Sequence, residues 1–225
     1  MISAGAWSRK QFGYQFSNDE LLKLALTHKS FSAKNNERLE FLGDAVLGFV
    51  IAEALYLQET AVNEGGLTRL RASLVKGETL ADIARSINLG KVMHLGVGES
   101  RAGSHQRQSI LADGLEAVFG SVLIDGGYNA AKIVILRLFE ERLTSLPDIE
   151  TLKDPKTMLQ EALQAAGLPI PIYRVEHEAG PPHEREFDVS CLIEERTIRT
   201  SGRATSRRAA EQDAAAKALL LLADG

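Results

Sequence analysis

The sequence predicts a multi-domain chain in which an all-α domain is followed by a smaller α+β domain of α-β-β-β-α order. Three observations carry that division. Up to about residue 145 the apolar residues recur at helical spacing, with no convincing strand alternation. From Tyr173 onward the period changes to two, with Tyr173, Val175 and His177 alternating with Arg174 and Glu176. A short polar connection, 147–153, separates the two patterns, so the expected domains span 1–147 and 154–223. The chain has 225 residues, 44% of them apolar and 25% charged, which suits folded domains and excludes disordered or collagen-like classes.

In the first domain Ser17 and Glu20 have the spacing of a capping box, which would open a helix over 19–29. A second helix is expected from about 36 to 57, followed by a polar loop, 58–66. Segments 67–75 and 78–87 come next, interrupted at Gly77 and closed by Gly90. Two more helices, 108–124 and 129–146, flank the turn Asp125-Gly126-Gly127. Trp7, Phe12, Tyr14 and Phe16 are spaced to pack beneath them. In the second domain Pro155 suits a first helical turn and Gly167 a left-handed helix end. Phe187, Val189, Cys191 and Ile193 form a second half-buried strand, and Ile198 and Thr200 a third. The closing helix, 206–222, would turn Ala210, Ala214 and Leu221 to the sheet.

Composition narrows the setting. A single cysteine, Cys191, cannot form an intrachain disulfide, so a reducing cytoplasmic compartment is expected. The apolar run 41–57 contains Asp44 and Glu53 and is too short and too charged to span a bilayer; residues 1–16 lack an apolar stretch of signal-peptide length. No membrane partner is expected. The net charge of −4 divides evenly, with 16 basic against 18 acidic residues up to residue 150 and 10 against 12 beyond it. Net charge therefore selects no partner. Distribution says more, because Arg196, Arg199, Arg203, Arg207 and Arg208 fall within an acid-free run.

The chemistry-bearing residues are acids set among apolar ones. Glu37, Glu40 and Asp44 stand at i, i+3 and i+7, on one helix face, with Leu39, Phe41, Leu42, Val46 and Leu47 as neighbours. Asp113 and Glu116 repeat the pattern in a second apolar segment, with Gly114 between them allowing close approach of another group. Carboxylates withdrawn from water need compensating charge or donors. Two such helices face to face would make an all-oxygen site for Mg²⁺ or Mn²⁺. The alternative is pairing with Arg38, Arg69 or Arg71, or a solvated face. A di-iron bundle would need Glu-x-x-His, which is absent, and zinc is poorly served by one cysteine and five scattered histidines.

The run Asn36-Glu37-Arg38-Leu39-Glu40-Phe41-Leu42-Gly43-Asp44-Ala45-Val46-Leu47 resembles the signature of bacterial ribonuclease III, and Ala112-Asp113-Gly114-Leu115-Glu116-Ala117 resembles that family's second acidic motif. The segment 154–222 resembles its double-stranded-RNA-binding domain. The resemblance implies an endoribonuclease that hydrolyses double-stranded RNA with Mg²⁺, or Mn²⁺ in its place, leaving 5′-phosphate and 3′-hydroxyl ends in rRNA, tRNA and mRNA processing. It implies that Glu40, Asp44, Asp113 and Glu116 hold the metal, with Asp44 and Glu116 most critical for cleavage, and that Glu37 and Glu64 are outer acids. Glu64 falls in the polar loop, where a solvated role competes. His28 also matches a family segment, but its place at a helix end favours a capping or core role.

In the second domain the resemblance assigns RNA contact to Thr157, Gln160 and Glu161 on the first helix, to His183 in the loop after Gly180, and to Arg207 and Arg208. The two arginines open a helix where guanidinium groups and free amides converge, an arrangement that binds phosphate. A duplex has two antiparallel strands and the chain has one acidic constellation, so a homodimer is expected, with Phe41 and Leu42 at the isologous contact by resemblance. The rival is a non-cleaving RNA-binding protein whose helical domain only dimerises.

Overall fold

The computed structural model describes residues 3–181 and 184–223. The chain divides into two compact units at residue 149.

The first unit is helical. It comprises α1 (Ala4–Phe12), α2 (Asp19–Ala25), α3 (Glu37–Gln58), α4 (Glu64–Val75), α5 (Gly77–Ser86), α6 (Val97–Arg101) and α7 (Gln108–Thr144), with short 3₁₀ turns between. The capping expectation is corrected in its residue. Asn18 caps α2 by accepting from the Glu20 amide at 3.0 Å, and the Ser17 amide, which a capping box would give to Glu20, donates instead to Asp125 Oδ2 at 2.8 Å. Asp125 also accepts from the Asn18 amide and the Tyr14 hydroxyl, which fastens the N-terminal segment to α7. Burial, then the Asp125 partner, pushes the Tyr14 hydroxyl up to about 12. Helix α2 stops at Ala25, short of the expected 29. Helix α4 begins three residues before the expected 67, since Asn63 Oδ1 accepts from the Gly66 amide at 2.9 Å and nucleates the turn. Backbone at Gly127 leaves the helical region (φ 78°), so the expected turn survives as a break inside α7.

The core of this unit lies between α3 and α7, where Leu47, Val50, Ile51, Leu115, Phe119 and Phe139 are fully buried. Trp7, Phe12 and Phe16 are buried as expected, Trp7 donating from Nε1 to the Ile87 carbonyl. Removing that much apolar surface from water is the main stabilising term available to a domain without disulfides.

The second unit runs α8 (Pro155–Ala165), β1 (Ile172–Ala179), β2 (Glu186–Ile193), β3 (Ile198–Ala204) and α9 (Arg207–Ala223), with an antiparallel sheet in the order β1-β2-β3. Leu159 and Leu163 of α8, Cys191 and Ile193 of β2, and Ala214, Ala215 and Ala218 of α9 form its core. Two expectations fail. Val175 is 40% exposed and His177 is exposed: β1 is an edge strand, exposed along most of its length, and its register slips between the two residues. Leu221 is 50% exposed and Ala218 takes its inward place. Among the described residues no helix is long and apolar enough to cross a membrane.

Candidate active site

Helices α3 and α7 cross with almost nothing between their backbones. A Cβ on Gly43 would overlap the carbonyl oxygen of Glu116, and one on Gly120 would overlap that of Leu39. The approach is fixed from the other end by Asn36, 2% exposed, whose side chain donates to the Ala25 carbonyl at 3.2 Å and whose amide donates to Thr27 at 2.9 Å. Together these contacts set the first turns of α3 against the middle of α7.

The result is a cluster in which Glu40, Asp113 and Glu116 each offer a carboxylate oxygen within 4.8 Å of the others. None of the three forms an ion pair with Arg38, Arg69 or Arg71, so the pairing alternative does not hold among the described residues. Electrostatics registers the crowding. Burial, then the charges of Asp44, Asp113 and Glu40, pushes the Glu116 carboxyl up to about 8. Burial and the neighbouring Asp113 and Glu37 also raise Glu40. Asp113 is raised by burial and partly restrained by His28 and Lys29. Three partly desolvated carboxylates on one spot call for a cation, and an all-oxygen set of this size suits a small hard divalent ion.

The other acids lie around this cluster. Asp44, one turn along α3 from Glu40, is exposed, which corrects its expected withdrawal from water, and it stands outside the 4.8 Å group. Its charge still reaches Glu40 and Glu116. Glu37 is exposed and pairs with Lys29 at 3.2 Å. Glu64 is not in a loop; it is the first residue of α4, accepting from the Thr68 hydroxyl at 2.9 Å. His28 neither caps a helix nor sits in the core. It lies half-buried beyond α2, Nδ1 against Ser30 Oγ at 2.8 Å, and its charge acts on Asp113. The glycine at 43 and the buried amide of Asn36 were both in the recognised motif, yet their positioning work had no signal in residue type alone.

In the second unit Thr157, Gln160 and Arg208 line one cavity of about 580 Å³ at the N-terminal ends of α8 and α9. Thr157 is set by Asp154, which caps α8 through its amide and hydroxyl. Glu161 and Arg207 do not line the cavity. Glu161 pairs with Lys153 at 2.6 Å, and Arg207 lies back along α9 to Glu211 at 2.9 Å, where Glu211 also binds Lys156 at 2.5 Å. His183 lies outside the described residues. The acid-free arginine run is less basic in three dimensions than in sequence, because Arg199 meets Glu176 and Arg203 meets Asp188.

An acid-lined helical core followed by an α-β-β-β-α module defines the class: a nuclease that carries its own RNA-binding domain. Comparison with known proteins bears this out. The family model "Ribonuclease-III-like" matches residues 18–143, and "Double-stranded RNA binding motif" matches 155–222. Ribonuclease 3 of Alkalilimnicola ehrlichii is 48% identical over 95% of this chain and 94% of its own, and that of Pseudomonas fluorescens is 50% identical over 95% and 93%. The nuclease domain of ribonuclease III from Campylobacter jejuni, described for structural flexibility in a region involved in dimer formation, superposes with a TM-score of 0.59 at 44% identity, covering 60% of this chain and 95% of that one. The chain belongs to the ribonuclease III family, the endoribonucleases of double-stranded RNA.

Proposed function

We propose that this protein is a Mg²⁺-dependent endoribonuclease that hydrolyses both strands of double-stranded RNA, leaving 5′-phosphate and 3′-hydroxyl ends, and acts as a cytoplasmic homodimer on rRNA, tRNA and mRNA precursors. Its functional boundaries are 1–147 for the nuclease and 154–223 for the RNA-binding domain. The observation that carries the reading is the meeting of Glu40, Asp113 and Glu116 within 4.8 Å, with no ion pair to any of the three among the described residues.

In this reading those three carboxylates hold the ion, and Mn²⁺ is accepted in its place by the same oxygen set. Held by these oxygens, a divalent ion would supply Lewis acidity toward water and the scissile phosphate. Asp44, exposed beside the cluster, is the acid that would accept a proton from the attacking water. Glu37 and Glu64 are the outer acids, acting on ligand orientation and RNA approach. His28 and Lys29 moderate the negative potential at Asp113 where a phosphate must enter.

Thr157, Gln160 and Arg208 contact the duplex from one cavity, and Glu161, His183 and Arg207 are further contacts. A double-stranded RNA minor groove offers 2′-hydroxyls and phosphates, and a threonine, an amide and a free guanidinium match them. Dimerisation is supported by a stripe along α3, on which Phe41 (79% exposed), Phe49 (61%) and Tyr56 (70%) project on one side with Ala45 and Ala52 between them. Leu42 lies half-buried at its edge. A two-fold axis there supplies the second site that antiparallel strands require.

The deciding experiment is cleavage of a long RNA duplex with and without Mg²⁺, with chemical analysis of the ends. Cutting that persists in chelator, or that prefers single strands, would overturn the reading.

A further inference from the structure

The cavity walled by α1, α2 and the segment 88–94, with a volume of about 820 Å³, takes no part in the reading above. Lys10, Lys23, Lys91 and His94 line it, and no acidic side chain does. Lys23 is shared with Glu20 at 2.6 Å, whereas Lys10 and Lys91 reach no carboxylate among the described residues. The remaining lining is apolar and deep, with Trp7 only 3% exposed and Met93 only 5%. Two amide side chains, half-buried Gln11 and exposed Asn88, add uncharged donors and acceptors.

Each of these features narrows the occupant. Unpaired ammonium groups around a concave apolar floor repel one another until an anion arrives, and the low-dielectric floor strengthens that anion's attraction. A ligand that suits the whole cavity has a flat, largely apolar body, an edge that amides can hydrogen-bond, and a compact anionic end. Duplex RNA fits badly, because its backbone is a convex ridge of singly charged diesters. A terminal phosphate carries close to two charges and three acceptor oxygens, enough to occupy two lysines at once.

We propose that this cavity is a binding site for a free nucleoside phosphate, its base over the Trp7 and Met93 floor and its terminal phosphate between Lys10 and Lys91. The site has a direct route to the acid cluster. Met93 also packs behind Gly114, where a Cβ would stand 2.9 Å from the Met93 methyl carbon, and Gly114 lies between Asp113 and Glu116 in α7. His94, on the same wall, accepts from the His28 amide at 3.1 Å and donates to the Leu26 carbonyl at 2.8 Å. Nucleotide binding here requires none of the proposed cleavage chemistry.

The sequence supplies its own reporter, since Trp7 is the only tryptophan. The full chain is titrated with guanosine 5′-diphosphate, adenosine 5′-diphosphate, guanosine and inorganic phosphate, by calorimetry and by Trp7 fluorescence. A nucleoside diphosphate is expected to bind saturably and to change the Trp7 signal, while guanosine and inorganic phosphate bind at least tenfold more weakly. Lys10→Ala and Lys91→Ala, both at exposed positions that leave the fold intact, should each weaken nucleotide binding by about tenfold, the worth of one charge-assisted hydrogen bond. Absence of saturable binding, or unchanged affinity in the double lysine variant, would overturn the proposal. So would inorganic phosphate binding as tightly as the nucleotide, which would reduce the cavity to a plain anion site, or displacement of the nucleotide by duplex RNA, which would make it part of the RNA track.

Discussion

Gly43 of α3 lies directly against the carbonyl oxygen of Glu116 in α7, with no room for a Cβ between them. The contact is one turn from Glu40, so the same glycine that lets the helices touch brings the acids of one helix to those of the other. Gly43→Ala should force the helices apart. Overpacking of this kind costs about 1–3 kcal/mol, and because the displacement falls at the acid cluster, Mg²⁺ affinity should fall as well as the melting temperature. Thermal melts with and without Mg²⁺ check this. A variant that loses stability but keeps its full Mg²⁺-induced rise in melting temperature would show that the glycine serves packing alone.

A second prediction concerns pH. In the folded, metal-free protein the Glu116 carboxyl keeps its proton until about 8, whereas the unfolded chain releases it near the ordinary 4.5. Between those values the folded state binds more protons, so this group's contribution to stability is fully present at the acid end and is lost as pH rises through about 8. Melting temperatures in chelator should therefore decline across that window, and Glu116→Gln should flatten the decline. Mg²⁺ must displace the proton, so its apparent affinity should rise with pH over the same range. An Mg²⁺ affinity that is flat from pH 6 to pH 8 would sink the assignment.

Much of this architecture was legible in the sequence, for a physical reason. Helical periodicity in 36–57 and 108–124, and alternation in 187–193, are local patterns that burial enforces, and they held in α3, α7 and β2. The acids at 40, 113 and 116 were legible because charge among apolar neighbours is costly and therefore informative. What failed depended on partners distant in sequence. The Ser17–Glu20 box did not close, because Asp125, over a hundred residues away, takes the Ser17 amide, and the cap is Asn18. Asp44 looked buried from its neighbours, but the helix turns it to solvent. Arg207 looked like a free phosphate ligand, and Glu211 one turn later holds it.

That last pairing separates the two arginines experimentally. Arg208 lines the cavity with Thr157 and Gln160, while Arg207 is already committed to Glu211. Arg208→Ala should weaken duplex binding about equally across sequences and reduce the slope of log affinity against log salt by about one unit per lost phosphate contact. Arg207→Ala should change the slope less. Binding isotherms at several salt concentrations decide it, and equal losses would mean that Glu211 releases Arg207 when RNA arrives.

The dimer can be tested at its most exposed residue. Phe41 projects from α3 with 79% of its surface in water, an arrangement that costs free energy unless a partner covers it. Phe41→Asp should shift the sedimentation of the purified protein from dimer toward monomer at micromolar concentration while leaving its helical content unchanged. A wild-type protein that sediments only as a monomer, yet still cuts both strands, would remove the two-fold arrangement.

The substitution that separates enzyme from scaffold is Glu116→Gln. At neutral pH without metal this carboxyl holds its proton, because burial and three neighbouring acids raise it to about 8. Glutamine has nearly the shape of the protonated acid, so the metal-free variant should fold and melt like the parent protein, and even gain stability above pH 8. Duplex binding, which rests on the second unit, should be unaffected. With Mg²⁺ the two proteins should diverge, since the variant lacks one of three anionic oxygens within 4.8 Å. Loss of a ligand charge in an all-oxygen site weakens the ion and its control of the attacking water, so cleavage should fall by at least about a hundredfold, with partial recovery in excess Mn²⁺. A structural glutamate paired to a buried cation would behave in the opposite way, losing several kcal/mol of stability on neutralisation, but no such cation stands beside Glu116 among the described residues. Duplex cleavage by Glu116→Gln at the parental rate in Mg²⁺ would exclude this cluster as the active site.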